Sequence, residues 1–468
     1  MRGGHRYLGR GQVWAISPPP AMTEGRDKNK MRKPREEDSR ATDKATDTRG
    51  RHRPARAADK PHRRARAPGP KIRSGSVRVD HPIARRIRAG HPWLYREALG
   101  RVTEEWTNGD IVPVVDVEGY PVGAGLFDSE GGVALRMVSR DPDFQWSEEE
   151  VARRVERALR VREGHIDGCE RARRLIHAEA DGFPGLSVDR LGDHLLIYQY
   201  ARCADRVLGL LTQALSEAMS DVKGIYLQER TRPVTPDERR QPSRLLAGQP
   251  APADFTVEED GLTFHVDISA PTSPGLFLDL REGRRWFESL AKGRNVLNLF
   301  SFTGAFAVRA VRAGAANVTN VDAAARSHAK CRQNLASSGL DPEGCEALTG
   351  DVFKYLDRFS SRKEQFDLVV VDPPPFSNVK GSVFSALRDW GGLIEGIASV
   401  VAPGGRVMAV CNAARLTDGE LLEAVGEGGR RASREVRLVG ECGLPGDFPV
   451  LPAFPEGRYL KVKLLEFE

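Results

Sequence analysis

Between residues 295 and 372, four short apolar runs each end on a side chain able to hold a ligand. NVLNLFSFTGAF carries Asn298 and Phe300, VTNVD ends on Asp322, LTGD ends on Asp351, and FDLVVVDPPPF reaches Asp372. A parallel α/β sheet binds ligands outside the carboxyl ends of its strands. At those ends Asp322 can accept hydrogen bonds from two ribose hydroxyls, and Asp351 can accept from an adenine amino group. Ser301, Thr303 and Gly304 form the turn after the first run. Gly304 lets the backbone approach a ligand, and the helix amides behind it can hold a carboxylate. Taken singly, Asp322 and Asp351 read equally well as helix N-caps. The stretch has no G-x-G-x-x-G, which a pyrophosphate would need. Four acceptors in order without that fingerprint point to S-adenosylmethionine rather than to NAD or FAD.

The most specific element is VDPPPFSN. Pro373, Pro374 and Pro375 cannot extend a strand and have no N–H. They stiffen a loop whose carbonyls, with Phe376 as a stacking face, can hold a flat base. Asp372 then stands between cofactor and base. The bland reading is a rigid turn. An acid followed by Pro-Pro and an aromatic residue is a familiar methyltransferase pattern.

With those residues, the chain resembles the bacterial large-subunit (23S) rRNA cytosine-C5 methyltransferase family. The resemblance covers roughly residues 76–468. It rests on R-x-x-x-G-H-P-W (Arg86 to Trp93), EADGFPGLSVDRLGD (Glu179 to Asp193), TSPGLFLDLREGRRW (Thr272 to Trp286), FSFTGAF, DPPPF and FPEGRYLK (Phe454 to Lys461). It implies a PUA domain, a central domain and a C-terminal Rossmann-like class I methyltransferase domain, S-adenosylmethionine as cofactor and ribosomal RNA as substrate. Arg86 and Arg88 with Trp93, beside Arg85, Arg96 and Tyr95, then read as a local basic and aromatic RNA surface. The alternative is that Trp93 is core and the arginines are solvated.

Methylation of cytosine C5 needs a thiolate that adds to C6, and that cysteine needs a lowered pKa. The resemblance places the thiol after the fifth strand. Counted from Gly404-Gly405, the position is Asn412, and Cys411 comes one residue earlier. A one-residue slip along a strand reverses the face a side chain points to. An alternative therefore stands beside C5 chemistry: methylation of a guanine nitrogen (N7-type), with DPPPF and Asn412 holding the base and no thiol involved. Asp372–Lys380 and the asparagine after the fifth strand resemble the pattern of such enzymes. Two further classes are a catalytically degenerate RNA-binding module, which the acids at 322, 351 and 372 oppose, and a methyltransferase for a small molecule or protein, which the two additional domains oppose.

The elements that must position these residues follow from periodicity. The expected class is α/β. Residues 1–75 read as a disordered basic tail, 76–145 as a small β-rich PUA-like unit, 146–270 as a linker helix and central α/β unit, and 271–468 as the Rossmann-like unit. Strands are expected at 295–299, 317–322, 345–349, 366–372 and 405–411, with a final pair at 434–440 and 458–466. A helix is expected over Leu276–Leu290, and Thr417-x-x-Glu420 reads as a capping box. Hairpins are expected at Glu118-Gly119 and Asp260-Gly261, and 229–252 reads as a loop or insertion.

The chain's net charge of +6 is unevenly placed. Residues 1–75 hold 21 Lys/Arg and 8 Asp/Glu, a net of +13, so the remaining 393 residues carry −7. Such a tail attracts nucleic acid electrostatically or is merely a solvated extension; Met22 and Met31 are alternative starts. The six cysteines are scattered with no C-x-x-C, which argues for a reducing cytoplasm and against a zinc site. No apolar run approaches a membrane span. The expected partner is 23S rRNA, with no membrane and no metal, and a homodimer is admitted as an assembly.

Overall fold

The computed structural model describes residues 75–99, 105–165, 167–231, 241–379 and 382–468. The basic tail and Lys380 lie outside the described residues.

The N-terminal unit is a five-stranded sheet with the order Val77–Val79, Ile111–Asp116, Pro121–Phe127, Val133–Ser139, Trp93–Tyr95. Its expected hairpin turns at Gly119, where φ is +88°. Asp116 ties that turn by accepting from the amides of Glu118 (3.1 Å) and Tyr120 (2.8 Å). This unit leads an α/β molecule.

The second sheet has the order 244–248, 224–229, 194–199, 186–191, 172–177. Arg244–Gly248 is a strand inside the segment expected to be a loop; only its hydrogen bonds to Gly224–Glu229 reveal it, because the run RLLAG is short and alternates weakly. Odd-numbered residues of 194–199, such as Leu195 and Ile197, pack against Val151, Val155, Val207 and Leu211 of the flanking helices. Even-numbered ones, Leu196 and Tyr198, join Phe255, Phe264, Phe287, Val370 and Met408. The second sheet therefore shares one apolar core with the C-terminal domain. That shared burial opposes independent motion of the two.

The C-terminal domain holds seven strands: β1 (Asn295–Leu299), β2 (Asn317–Asp322), β3 (Glu346–Thr349), β4 (Phe366–Val371), β5 (Val401–Cys411), β6 (Val436–Cys442) and β7 (Lys461–Phe467). Their order is β3-β2-β1-β4-β5-β7-β6, with β1 to β5 parallel and β7 antiparallel to both its neighbours, β5 and β6. This is a Rossmann-like sheet, and its order reverses between β1 and β4, where such sheets open a crevice. Strand β4 is apolar on both faces, as a central parallel strand should be. The helices are α1 (Arg281–Ala291), α2 (Ala305–Arg312), α3 (Ala325–Ser337), α4 (Val352–Ser361), α5 (Trp390–Ala398) and α6 (Asp418–Arg431). Leu278–Leu280 forms a 3-10 turn before α1, so the first helix starts later than its apolar pattern suggests. The capping box of α6 is formed on both sides by Thr417 and Glu420.

Candidate active site

The turn after β1 is wound tightly. Phe300 and Phe302 have φ of +57° and +47°, values costly for residues with a Cβ. Between them lies Ser301, whose hydroxyl is buried and has no hydrogen-bond partner among the described residues. Asp322, at the end of β2, accepts from the amides of Phe302 and Ala324, both at 2.9 Å. Two amides occupy part of a carboxylate's acceptor capacity and leave sites for further donors. Thr303 donates to the carbonyl of Gly275 (2.6 Å), and Asn334 donates to the carbonyl of Thr303 (3.0 Å). Gly304 begins α2 with φ +77°, and a Cβ there would overlap the Cys331 sulfur. The strained turn therefore sets a buried, unpartnered hydroxyl beside a carboxylate with spare acceptor capacity at the strand end.

The other two expected cofactor contacts are more ordinary. Asn298 is buried and donates to Asn320 (2.9 Å), which ties β1 to β2 inside the sheet. Asp351 caps α4 by accepting from the Lys354 amide (3.1 Å), the bland reading its sequence also allowed.

Asp372 follows β4 and opens on a cavity of about 490 Å³. The cavity is also lined by Pro375, Phe376, Asn412, Asp279 and Tyr459. Its far wall comes from the second sheet, and Trp93 reaches it from the N-terminal unit. One Asp372 carboxylate oxygen and the Asn412 side-chain oxygen are buried without a partner among the described residues. Burial, and then the nearby Asp279 carboxylate, push the Asp372 carboxyl up to about 7, against the pull of Arg284. Burial likewise raises Asp279, which accepts from the Tyr459 hydroxyl at 2.7 Å.

The proline loop differs from its expected form. Pro373 is buried and Pro374 half-buried, and neither lines the cavity. The Pro375 carbonyl is not free, because it accepts from the Ala386 amide (2.9 Å). After it the chain turns into a strand pair, Phe376–Val379 with Ser382–Ser385, that no local pattern announces.

Strand β5 separates the two catalytic alternatives. Val407, Ala409 and Cys411 face α5 and α6, and Cys411 is 2% exposed among Trp390, Ala413 and Leu416. Met408 and Val410 face the other way, and Asn412 continues that face into the cavity. Burial raises the Cys411 thiol, and the partly offsetting Ala413 amide and Lys461 ammonium do not reverse it. A reactive thiolate needs the opposite shift. No cysteine among the described residues lines the cavity.

Of the expected N-terminal surface residues, Trp93 departs from expectation, whereas Arg86 and Arg88 remain exposed. Trp93 is 3% exposed rather than on an open RNA surface; it packs on Phe454 and donates to Glu179 (2.9 Å). Arg88 pairs with Asp116 (2.8 Å). Arg86 lies against His91 and 3.5 Å from Glu456. Sequence reading left Asp279 and Tyr459 without a role, although both sit in motifs it singled out, FLDLREGRRW and FPEGRYLK. Only the fold brings those motifs together across the cavity.

Comparison with known proteins agrees with this geometry. A family model described as S-adenosylmethionine-dependent methyltransferase matches residues 194–457, and one described as PUA-like domain matches 77–140. YwbD of Bacillus subtilis (strain 168) is 30% identical over 391 residues, 82% of this chain and 97% of that protein. Ribosomal RNA large subunit methyltransferase I of Shewanella denitrificans is 31% identical over 385 residues, 81% of this chain and 95% of that protein. The solved structure of SMU.776 complexed with SAH superposes with a TM-score of 0.76 at 23% identity, covering 84% of this chain and 99% of that one, a likeness of fold.

Proposed function

The chain belongs to the S-adenosylmethionine-dependent methyltransferase family, and from that premise we propose that it methylates large-subunit ribosomal RNA at a guanine nitrogen, without a covalent enzyme–base adduct. The ribosomal RNA target is taken from the names of relatives that align over nearly their whole length. One observation carries the choice of atom. Asp372 and Asn412 line the cavity and each keeps a buried side-chain oxygen without a partner among the described residues, while Cys411 is turned into the core. Two acceptors fit a base edge that bears N–H donors, and guanine offers two, N1–H and the N2 amine. Cytosine C5 chemistry would need a thiolate where the cavity has none.

Ser301, Thr303, Gly304 and Asp322 would hold the cofactor over β1 and β2, with Asn298 and Phe300 beneath them and Asp351 at the adenine end. Bound S-adenosylmethionine supplies an electrophilic methyl group on a sulfonium centre. Asp372 and Asn412 hold the base edge through its donors, and Phe376 and Pro375 supply apolar surface to its plane. Methylation of N7 leaves a positive charge on the purine. The Asp372 carboxylate, accepting from that purine, stabilises the charge as it develops. Asp279 and Tyr459 keep the position of the loop opposite. A ribosomal RNA substrate sets the reaction in the cytoplasm.

Nucleoside mass spectrometry of large-subunit rRNA, incubated with the protein and labelled S-adenosylmethionine, tests this reading. Labelled methylguanosine is the expected product. Labelled 5-methylcytidine would overturn the nitrogen assignment and return Cys411 to the mechanism.

A further inference from the structure

The cavity extends beyond Asp372 and Asn412, and part of its remaining wall belongs to the second sheet. Residues of one face of that sheet change character along its strands. Leu191, Leu196 and Tyr226 pack into the apolar core shared with the C-terminal domain. Further along the same face come Tyr198, Tyr200 and Arg230, all lining the cavity. The Tyr198 and Tyr200 rings lie 6.3 Å apart and 27° from parallel. The Arg230 guanidinium lies over Tyr198 at 4.1 Å. It is held there by Gln228 (2.8 Å) and by the carbonyl of Thr272 (2.7 Å). Neither tyrosine hydroxyl has a hydrogen-bond partner among the described residues. A sheet face needed only for packing would stay apolar here. Instead it presents two aromatic rings and a planar cation, the surfaces on which unpaired bases stack.

We infer that Tyr198, Tyr200 and Arg230 form a second nucleobase subsite, which takes the nucleotide flanking the target while the target base occupies the Asp372–Asn412 end. The inference rests on the RNA-methylating reading above and deepens it. Splaying two neighbouring bases into one cavity requires an unpaired acceptor strand. It also gives the second sheet a part in choosing the site. The three residues act on binding and hold no reacting atom.

The test uses the full chain, deproteinised large-subunit rRNA from a strain lacking this gene, and methyl-labelled S-adenosylmethionine. Tyr200→Ala and Arg230→Ala should raise the KM for RNA by about 5- to 150-fold, the span that stacking one base supplies. Affinity for S-adenosylmethionine, read by calorimetry, should stay unchanged, which also reports that the variants are folded. Tyr200→Phe keeps the ring and should retain the KM of the unaltered protein. An unchanged KM in both alanine variants, or a Tyr200→Phe variant as weak as Tyr200→Ala, overturns the stacking subsite alone. Absence of transfer to RNA by the unaltered protein overturns the proposed acceptor, and the subsite falls with it.

Discussion

Asp372 concentrates the conflict between stability and chemistry in one side chain. Its folded pKa of about 7 lies above its ordinary value of 3.8. The folded state therefore holds a proton that the unfolded state has released, and stability falls as pH rises from about 4 to about 7. Asp372→Asn should remove that penalty and stabilise the fold near neutral pH by about 1–4 kcal/mol, read as a higher Tm. The same variant should lose methyl transfer, because the acceptor charge is gone. In the unaltered protein, the rate should climb as pH passes about 7. A flat pH profile would remove Asp372 as a charged participant. Cys411→Ala should behave in the opposite way, keeping turnover while losing about 1 kcal/mol of packing. Loss of turnover with intact cofactor binding would reinstate the thiol.

At the scale of elements, the β1–α2 turn, proposed as the cofactor cradle, is also a packing junction. Gly304→Ala would place a methyl group on the Cys331 sulfur at a backbone angle that alanine resists. A loss of about 1–3 kcal/mol in stability is expected, with weakened S-adenosylmethionine binding measured by calorimetry. Adding Cys331→Gly should recover part of the stability but not the left-handed φ, so rescue should be incomplete. Full rescue would show that the glycine serves only to avoid the clash. Strand β5 works by parity. Its alternation sends Cys411 to the helices and Asn412 to the cavity, and one inserted residue would exchange them.

For the whole molecule, buried ion pairs join the units at a few points. Asp447 is fully buried; its carboxylate contacts Arg281 and accepts from the Arg174 amide (2.8 Å), and its carbonyl accepts from Arg162 (3.0 Å). Those partners come from α1, from the second sheet and from the end of the linker helix. Asp447→Ala leaves the Arg281 cation buried without its carboxylate, and should cost about 3–5 kcal/mol in chemical denaturation. A loss below 1 kcal/mol would mean that Arg281 finds another partner. Glu456 is a lesser lock, bringing Arg86, His91 and Tyr95 of the N-terminal unit onto the C-terminal segment. Its pKa is lowered to about 2, with the His91 and Tyr95 hydrogen bonds overcoming burial. Its contribution is therefore present above about pH 4.5 and lost as pH falls toward 2. Among the described residues no helix is long and apolar enough to cross a membrane.

Much of this was legible in the chain itself, and the reason is that its signals are local. Strand periodicity, the capping box at Thr417 and the acids at the ends of β2, β3 and β4 depend on neighbours within a few residues, so the parallel α/β sheet and its ligand edge could be read directly. Arg244–Gly248 and the strand pair after Pro375 could not, since each exists only through pairing with a distant or weakly patterned segment. The same limit applies to the site. Spacing put Cys411 and Asn412 side by side, and only the register of β5 decided which of them enters the cavity. The cavity itself is built from motifs far apart in the chain; Asp279 and Tyr459, for example, are 180 residues apart. Trp93 read as a surface residue because its neighbours are basic. Its burial is decided by Phe454 and Glu179, which reach it only once three units pack on one another.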